Sequence, residues 1–225
     1  MTLFFVPVVP HLPELLAGLW TTVYISVWSI ALSLVFGLAL ALARRSEAWP
    51  VRWLAVAFLD VFRNTPFIVQ LFFFYFGLPV IGIYADALET GILALGLASA
   101  TSTAEVLRAG MESVGRGVIE AARAYGLTTI QQYRRIILPI ALRFAIRPLG
   151  SVLVNIVLTT SVLSTITVNE LMSNAENVAS ATFRPFEVYL VVLGLFWIAT
   201  FAVSLGVHAV SAFWLRRSIG VRAGG

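Results

Sequence analysis

The chain has 225 residues, of which 60% are apolar and 12% charged, and its mean hydropathy of +0.94 places it among integral membrane proteins. It has no cysteine, and its two histidines, His11 and His208, lie at opposite ends, so disulfides and thiolate metal sites are excluded and no metal is expected. All fifteen basic residues are arginine; without lysine a G-x-x-x-x-G-K-[ST] phosphate loop cannot be built, and arginines beside apolar runs fit a membrane surface rather than nucleic acid.

A helix needs about 20 apolar residues to cross the hydrocarbon core. The first uncharged run, 15–43, is long enough; it is too long for a signal peptide and lacks a basic segment before it, so it is expected to remain in the mature protein. Trp53, Leu54, Val56, Phe58 and Leu59 then alternate with Arg52, Asp60 and Arg63, a pattern for a short helix lying at the membrane interface. A second span is expected over 64–85, with Arg63 and Thr65-Pro66 anchoring its start.

The next run, 90–104, crosses only if its helix continues through Glu105 towards Arg108, which predicts a span over about 88–107. Glu105 and Arg108, three apart, share a helix face and partly neutralise each other. The polar stretch that follows reads as a helical hairpin over about 116–139. Glu120 to Tyr125 favours helix, Gly126 can end it in the left-handed conformation, and Thr128 or Thr129 can cap a second helix that Pro139 is expected to stop. Two more spans are expected over 148–169 and 188–215.

With five spans, Arg184 alone falls on the side opposite the other arginines, so the positive-inside rule places the N-terminus outside and the C-terminus in the cytoplasm. The hydroxyl run Thr159, Thr160, Ser161, Ser164, Thr165 and Thr167 either lines a polar path or bonds back to its own helix. Glu170 is a solute contact, a contact to a delivering protein or an interfacial charge, and His208 reads as a neutral, packed imidazole.

Glu120, Ala121, Ala122 and Gly126, followed by Ile137, Leu138 and Pro139, resemble the E-A-A-x-x-x-G loop of bacterial ABC importer permeases. Arg63-Asn64-Thr65-Pro66 with FIVQLFFFYFGLP, then AEVLRAG at 104–110 and TSVLSTITVNEL at 160–171, are similar in order and spacing to blocks of the polar amino-acid branch of that family. The chain departs from the pattern at Val118, where the family often has glutamine, and at Leu158, where the branch commonly has lysine. A lysine in a span is costly and usually functional, so its absence leaves basic, neutral and non-amino-acid solutes open.

The resemblance implies an all-α integral membrane protein with about five transmembrane helices, like a type I ABC importer permease. Its function would be the translocation path for a small polar solute, in the first place an amino acid, in the cytoplasmic membrane of a bacterium or archaeon. It implies that Glu120, Ala121, Ala122, Gly126, Leu138 and Pro139 couple the chain to a separate ATPase, and Thr160, Ser161, Ser164 and Glu170 are the candidate residues of the solute path. The implied partners are ATPase subunits that hold ATP and magnesium, a second permease chain, alike or different, an external solute-binding protein and membrane lipid. The chain itself would carry no cofactor and no catalytic residue. An intramembrane enzyme is disfavoured because no lysine exists and neither histidine sits in a motif; an ATP-independent channel or interaction subunit is the alternative.

Overall fold

A computed structural model describes residues 5–219, with side chains in the last helix to residue 212. The described residues form nine α-helices and no strand: α1 Leu12–Ala43, α2 Trp49–Arg63, α3 Phe67–Val80, α4 Ala87–Glu112, α5 Arg116–Ala124, α6 Thr129–Gln132, α7 Leu138–Thr159, α8 Leu171–Thr182 and α9 Pro185–Ile219. Four stretches are long and apolar enough to cross a membrane, Val9–Ala43, Ala87–Glu112, Thr129–Ile166 and Pro185–Ala212, and a fifth exists if α2 and α3 count together.

α1, α4 and α7 make the centre. Little hydrophobic drive exists between helices in lipid, so close backbone approach carries the packing. A Cβ on Gly37 would lie 2.5 Å from Thr103 Cγ2, and one on Gly96 would lie 2.8 Å from Leu32 Cβ, so α1 and α4 meet along glycine. Close to those points the Ser33 and Thr103 hydroxyls are 2.7 Å apart, and beyond Gly96 Ser29 donates to the Ile92 carbonyl at 3.3 Å. Three buried clusters follow along the molecule. One joins Leu107, Met111, Ile137 and Ala141 near the hairpin, a second Ile25, Leu71, Leu95 and Ile156, and a third Leu15, Leu171 and Val188.

Four expectations change. The second span is not one rod over 64–85: α3 has 14 residues, about 21 Å of helix, and it meets α2 at a bend of 108°. Thr65-Pro66 causes the break, because proline lacks an N–H and pushes the residue before it out of the helical region. Pro139 does not stop the hairpin's second helix. It lies in the first turn of α7, where a missing N–H is harmless, and a π-helical turn over Tyr133–Ile137 joins α6 to α7.

The helix expected to start near 148 therefore begins ten residues earlier. It tightens to 3-10 geometry over Thr160–Ile166 and ends where Thr167 turns left-handed, φ 66°. α8 had no counterpart among the expected elements, although Glu170 supplies its N-cap. The third span, in contrast, continues through Glu105 to Glu112 as the short apolar run required, starting from a capping box of Asp86 and Glu89.

Candidate functional site

The hairpin is built from terminators that sequence chemistry dictates. Gly126 takes φ 72°, a conformation that strains residues with a Cβ. Its N–H donates to the Arg123 carbonyl at 2.9 Å and the Leu127 N–H to the Ala122 carbonyl at 3.1 Å, the paired bonds of a Schellman ending. Thr128 and Gln131 then form a reciprocal capping box for α6. Gln132 is buried, and its Nε2 donates to the Leu127 carbonyl at 2.7 Å, closing the turn from inside.

Glu120, Ala121, Arg123 and Tyr125 lie on the exposed side of this hairpin. Ala122 does not: it is 4% exposed, so of the two alanines expected to admit a partner only Ala121 faces outward. The helix repeat turns neighbouring residues by about 100°, which is why both cannot share the face. Leu138 and Pro139 are partly buried where the hairpin enters α7. Arg45, Arg123, Arg134, Tyr133 and Ile130 border a basic, open cleft of about 790 Å³, with the Arg45 guanidinium 6.0 Å from the Tyr133 ring centre.

Glu105 does more than pair within its helix. Its carboxylate contacts Arg44 at the end of α1, Arg63 at the end of α2 at 3.2 Å, and Arg108 at 2.9 Å, while Arg108 also meets Glu112 at 2.6 Å. One carboxylate thus ties three helices together. The Arg108 part was legible at three-residue spacing; the Arg44 and Arg63 parts span distances in sequence that no local pattern reports.

Beside this hub lies a cavity of about 550 Å³ between the end of α2 and α3, α4 and α7, bordered by Arg63, Gln70, Ser99, Ser102, Ser151, Asn155 and Thr159 among others. Its volume falls within the range of small-molecule sites, about 300–1,000 Å³. The candidate path residues lie elsewhere. Thr160 is fully buried and donates to the Val157 carbonyl at 2.7 Å, and Ser161 and Ser164 bond back to Leu158 and Ser161 at 2.8 and 2.9 Å. These hydroxyls bond to the preceding turn, and of the run Thr159 reaches the cavity.

Glu170 is likewise buried and occupied. It accepts from the Ser173 N–H at 2.8 Å and the Thr22 hydroxyl at 3.4 Å, so it caps α8 against α1 rather than facing the cavity. Leu158 borders an apolar groove with Tyr189 and Trp197, so the missing lysine leaves this cavity's charge unchanged. A helical repeat marks this cavity's lining in the sequence: Ser151, Asn155 and Thr159 recur every four residues, and Leu95, Ala98 and Ser102 follow a three-and-four spacing on α4. His208 bonds its Nδ1 to the Ser204 carbonyl at 2.8 Å, and no cluster of metal-ligating side chains occurs among the described residues.

The model of the family "Binding-protein-dependent transport system inner membrane component" matches residues 33–217. The nopaline transport system permease protein NocM of Agrobacterium fabrum is 36% identical over 228 residues, covering 97% of this chain and 94% of that protein. The probable glutamine ABC transporter permease protein GlnM of Bacillus subtilis is 38% identical over 191 residues, covering 85% and 88%. The crystal structure of an amino acid ABC transporter with histidines matches with a TM-score of 0.85 and 29% identity over 94% of this chain and 99% of that one. The methionine ABC transporter MetNI, inward facing, gives a TM-score of 0.78 at 22% identity over 91% and 98%, a likeness of fold alone.

Proposed function

The chain belongs to the family of binding-protein-dependent transport system inner membrane components, and from that premise we propose that it carries an amino acid through the membrane, driven by ATP hydrolysed on a separate subunit. It is a multi-pass transport subunit, not an ATPase. Two such chains, alike or different, would enclose the path, two ATPase subunits would bind ATP and magnesium, and an external binding protein would deliver the solute. The N-terminus would face outward, and the hairpin and C-terminus the cytoplasm of a bacterial cell.

The observation that carries this reading is the construction of the hairpin. Gly126 and two caps fix its turn, Glu120 and Ala121 stand outside it, and a continuous helical path joins it to α7. Transmitting force needs a connection stiffer than a loop, and this one has no free segment. From Leu138 to Asn155 the axial rise is roughly 25 Å, so displacement of the hairpin would move the wall that carries Ser151 and Asn155. The Glu105 hub would hold α1, α2 and α4 as one body against which α7 moves.

Reconstitution with the ATPase and binding protein in liposomes tests the reading. Glu120→Arg and Gly126→Pro are expected to leave ATP hydrolysis measurable while solute uptake per ATP falls at least tenfold. Uptake at the wild-type rate in both variants would reject coupling through the hairpin, and uptake without ATP would favour a channel.

A further inference from the structure

Arg147 stands in a membrane-crossing helix without a counter-charge. It is exposed on α7 and makes no hydrogen bond or ion pair among the described residues. α7 contains no aspartate or glutamate, and α9, which packs against it, has none after Glu187. An unpaired charge beside the hydrocarbon core is costly and draws an opposite charge to it.

The depth of Arg147 follows from the packing of α4 on α7. A Cβ on Gly110 would lie 3.3 Å from Ala145 Cβ. The two helices are antiparallel, so Arg108 and Arg147, each two residues from that contact in the same direction, stand at one level. Arg147 is therefore level with the Glu105 hub, at the depth where arginines reach lipid head groups.

Between α7 and α9 at this level lies a cavity of about 450 Å³. The helices touch where a Cβ on Gly150 would lie 2.9 Å from Val207 Cγ1. About one turn nearer the hub, Arg147 and Ser211 border the cavity together with His208, and Val154 borders it on the other side of the contact. Further along the same helix pair, Leu158, Leu193 and Trp197 border an apolar groove. From Arg147 to Leu158 the rise is roughly 16 Å, about half the hydrocarbon thickness of a bilayer. The slot is thus basic and polar at head-group depth and apolar over the length of one leaflet.

The polar end also selects. His208 Nδ1 donates to the Ser204 carbonyl at 2.8 Å, which leaves Nε2 of the neutral ring to accept, and Ser211 donates to the His208 carbonyl at 2.9 Å, which leaves its oxygen to accept. A head group that joins a phosphate to free hydroxyls meets the cation and both acceptors. We propose that this slot holds an anionic glycerophospholipid of the leaflet on the hub side, with its phosphate on Arg147, head-group hydroxyls on His208 and Ser211, and an acyl chain laid between α7 and α9.

Native mass spectrometry of the purified permease–ATPase complex tests the assignment, with phosphatidylglycerol and phosphatidylcholine of identical acyl chains as probes. Phosphatidylglycerol is expected to be retained saturably, one per permease chain, at least fivefold in preference to phosphatidylcholine. Arg147→Gln is expected to abolish the preference, whereas Arg52→Gln, which removes an exposed charge from α2, is expected to keep it. Val154→Trp leaves Arg147 in place and fills the slot, and it is expected to lower retention at least fivefold, so the result does not depend on the folding of Arg147→Gln.

Equal retention of the two lipids, or an unchanged preference in Arg147→Gln, would overturn the proposal. Displacement of phosphatidylglycerol by an equal concentration of inorganic phosphate would make the ligand a free anion and not a lipid. The natural chain has no cysteine, so complete disulfide crosslinking between two Val207→Cys chains in native membranes would put a second permease chain where the lipid is placed. Ser151 borders both this slot and the polar cavity beside α4. If Val154→Trp blocks uptake while lipid retention is unchanged, the slot belongs to the solute path and holds no lipid.

Discussion

Glu170 accepts from the Ser173 N–H and the Thr22 hydroxyl while fully buried, so it starts α8 and ties it to α1 at a cost in solvation. Burial is the largest influence on its carboxyl and pushes the pKa up, and nearby Glu176 adds to the rise; the Met172 and Ser173 N–H groups and Thr22 pull it down without cancelling it. The folded protein therefore holds this proton to higher pH than the unfolded chain. As pH rises from the unfolded value through the folded one, the native state binds more protons than the unfolded state, and stability falls. Glu170→Gln keeps an acceptor for the Ser173 N–H without the charge, so its melting temperature is expected to fall less than the wild type's as pH rises above the ordinary glutamate value of about 4.3. Parallel profiles would contradict this assignment. Glu170→Ala loses the cap and is expected to cost about 1 kcal/mol across that range. Gly126→Ala, forced to φ 72°, is expected to destabilise the hairpin by roughly 1–2 kcal/mol, read as a lower melting temperature and a lower ratio of uptake to hydrolysis.

Helix pairs depend on features that local spacing reveals unevenly. The apolar runs made the helices visible, and the brevity of the 90–104 run required α4 to continue past Glu105. The same kind of reasoning could not tell a straight span from the α2–α3 elbow, because apolar length reports how much chain avoids water and not its direction. Nor could it show that Pro139 begins a helix, since that depends on the π turn before it. At the candidate site, the hairpin residues were legible because turn and cap chemistry is local. The cavity was not, because it is made of residues from four helices, of which Gln70 and Asn155 are far apart in sequence. The contact of α1 with α4 gives the corresponding prediction. Gly96→Val would drive side-chain atoms into Leu32, and Gly37→Val into Thr103, and each is expected to cost about 1–3 kcal/mol. Gly194→Val, whose added Cβ would meet nothing within 4 Å, is the matched control. Similar melting temperatures for all three variants in detergent would refute close packing as the basis of this pair.

The whole molecule has two chemically different ends, and their difference yields a prediction about its placement in the cell. Arg44 and Arg63 meet Glu105 at one end, near the arginine-bearing hairpin, while Arg184 lies between α8 and α9, beyond the other end of α7. Arginine is retained on the cytoplasmic side during insertion, so the hairpin should be inside and the α3–α4 turn outside. The natural chain has no cysteine, and single-cysteine variants therefore report without background. Tyr84, 85% exposed in the α3–α4 turn, gives an outer probe as Tyr84→Cys, and Arg123→Cys gives an inner one. In intact spheroplasts a membrane-impermeant maleimide is expected to label Tyr84→Cys at least tenfold faster than Arg123→Cys, and permeabilisation should remove the difference. The reverse order would put the hairpin on the side without ATP, and no adjustment of the hairpin's geometry could then preserve its role as the coupling element.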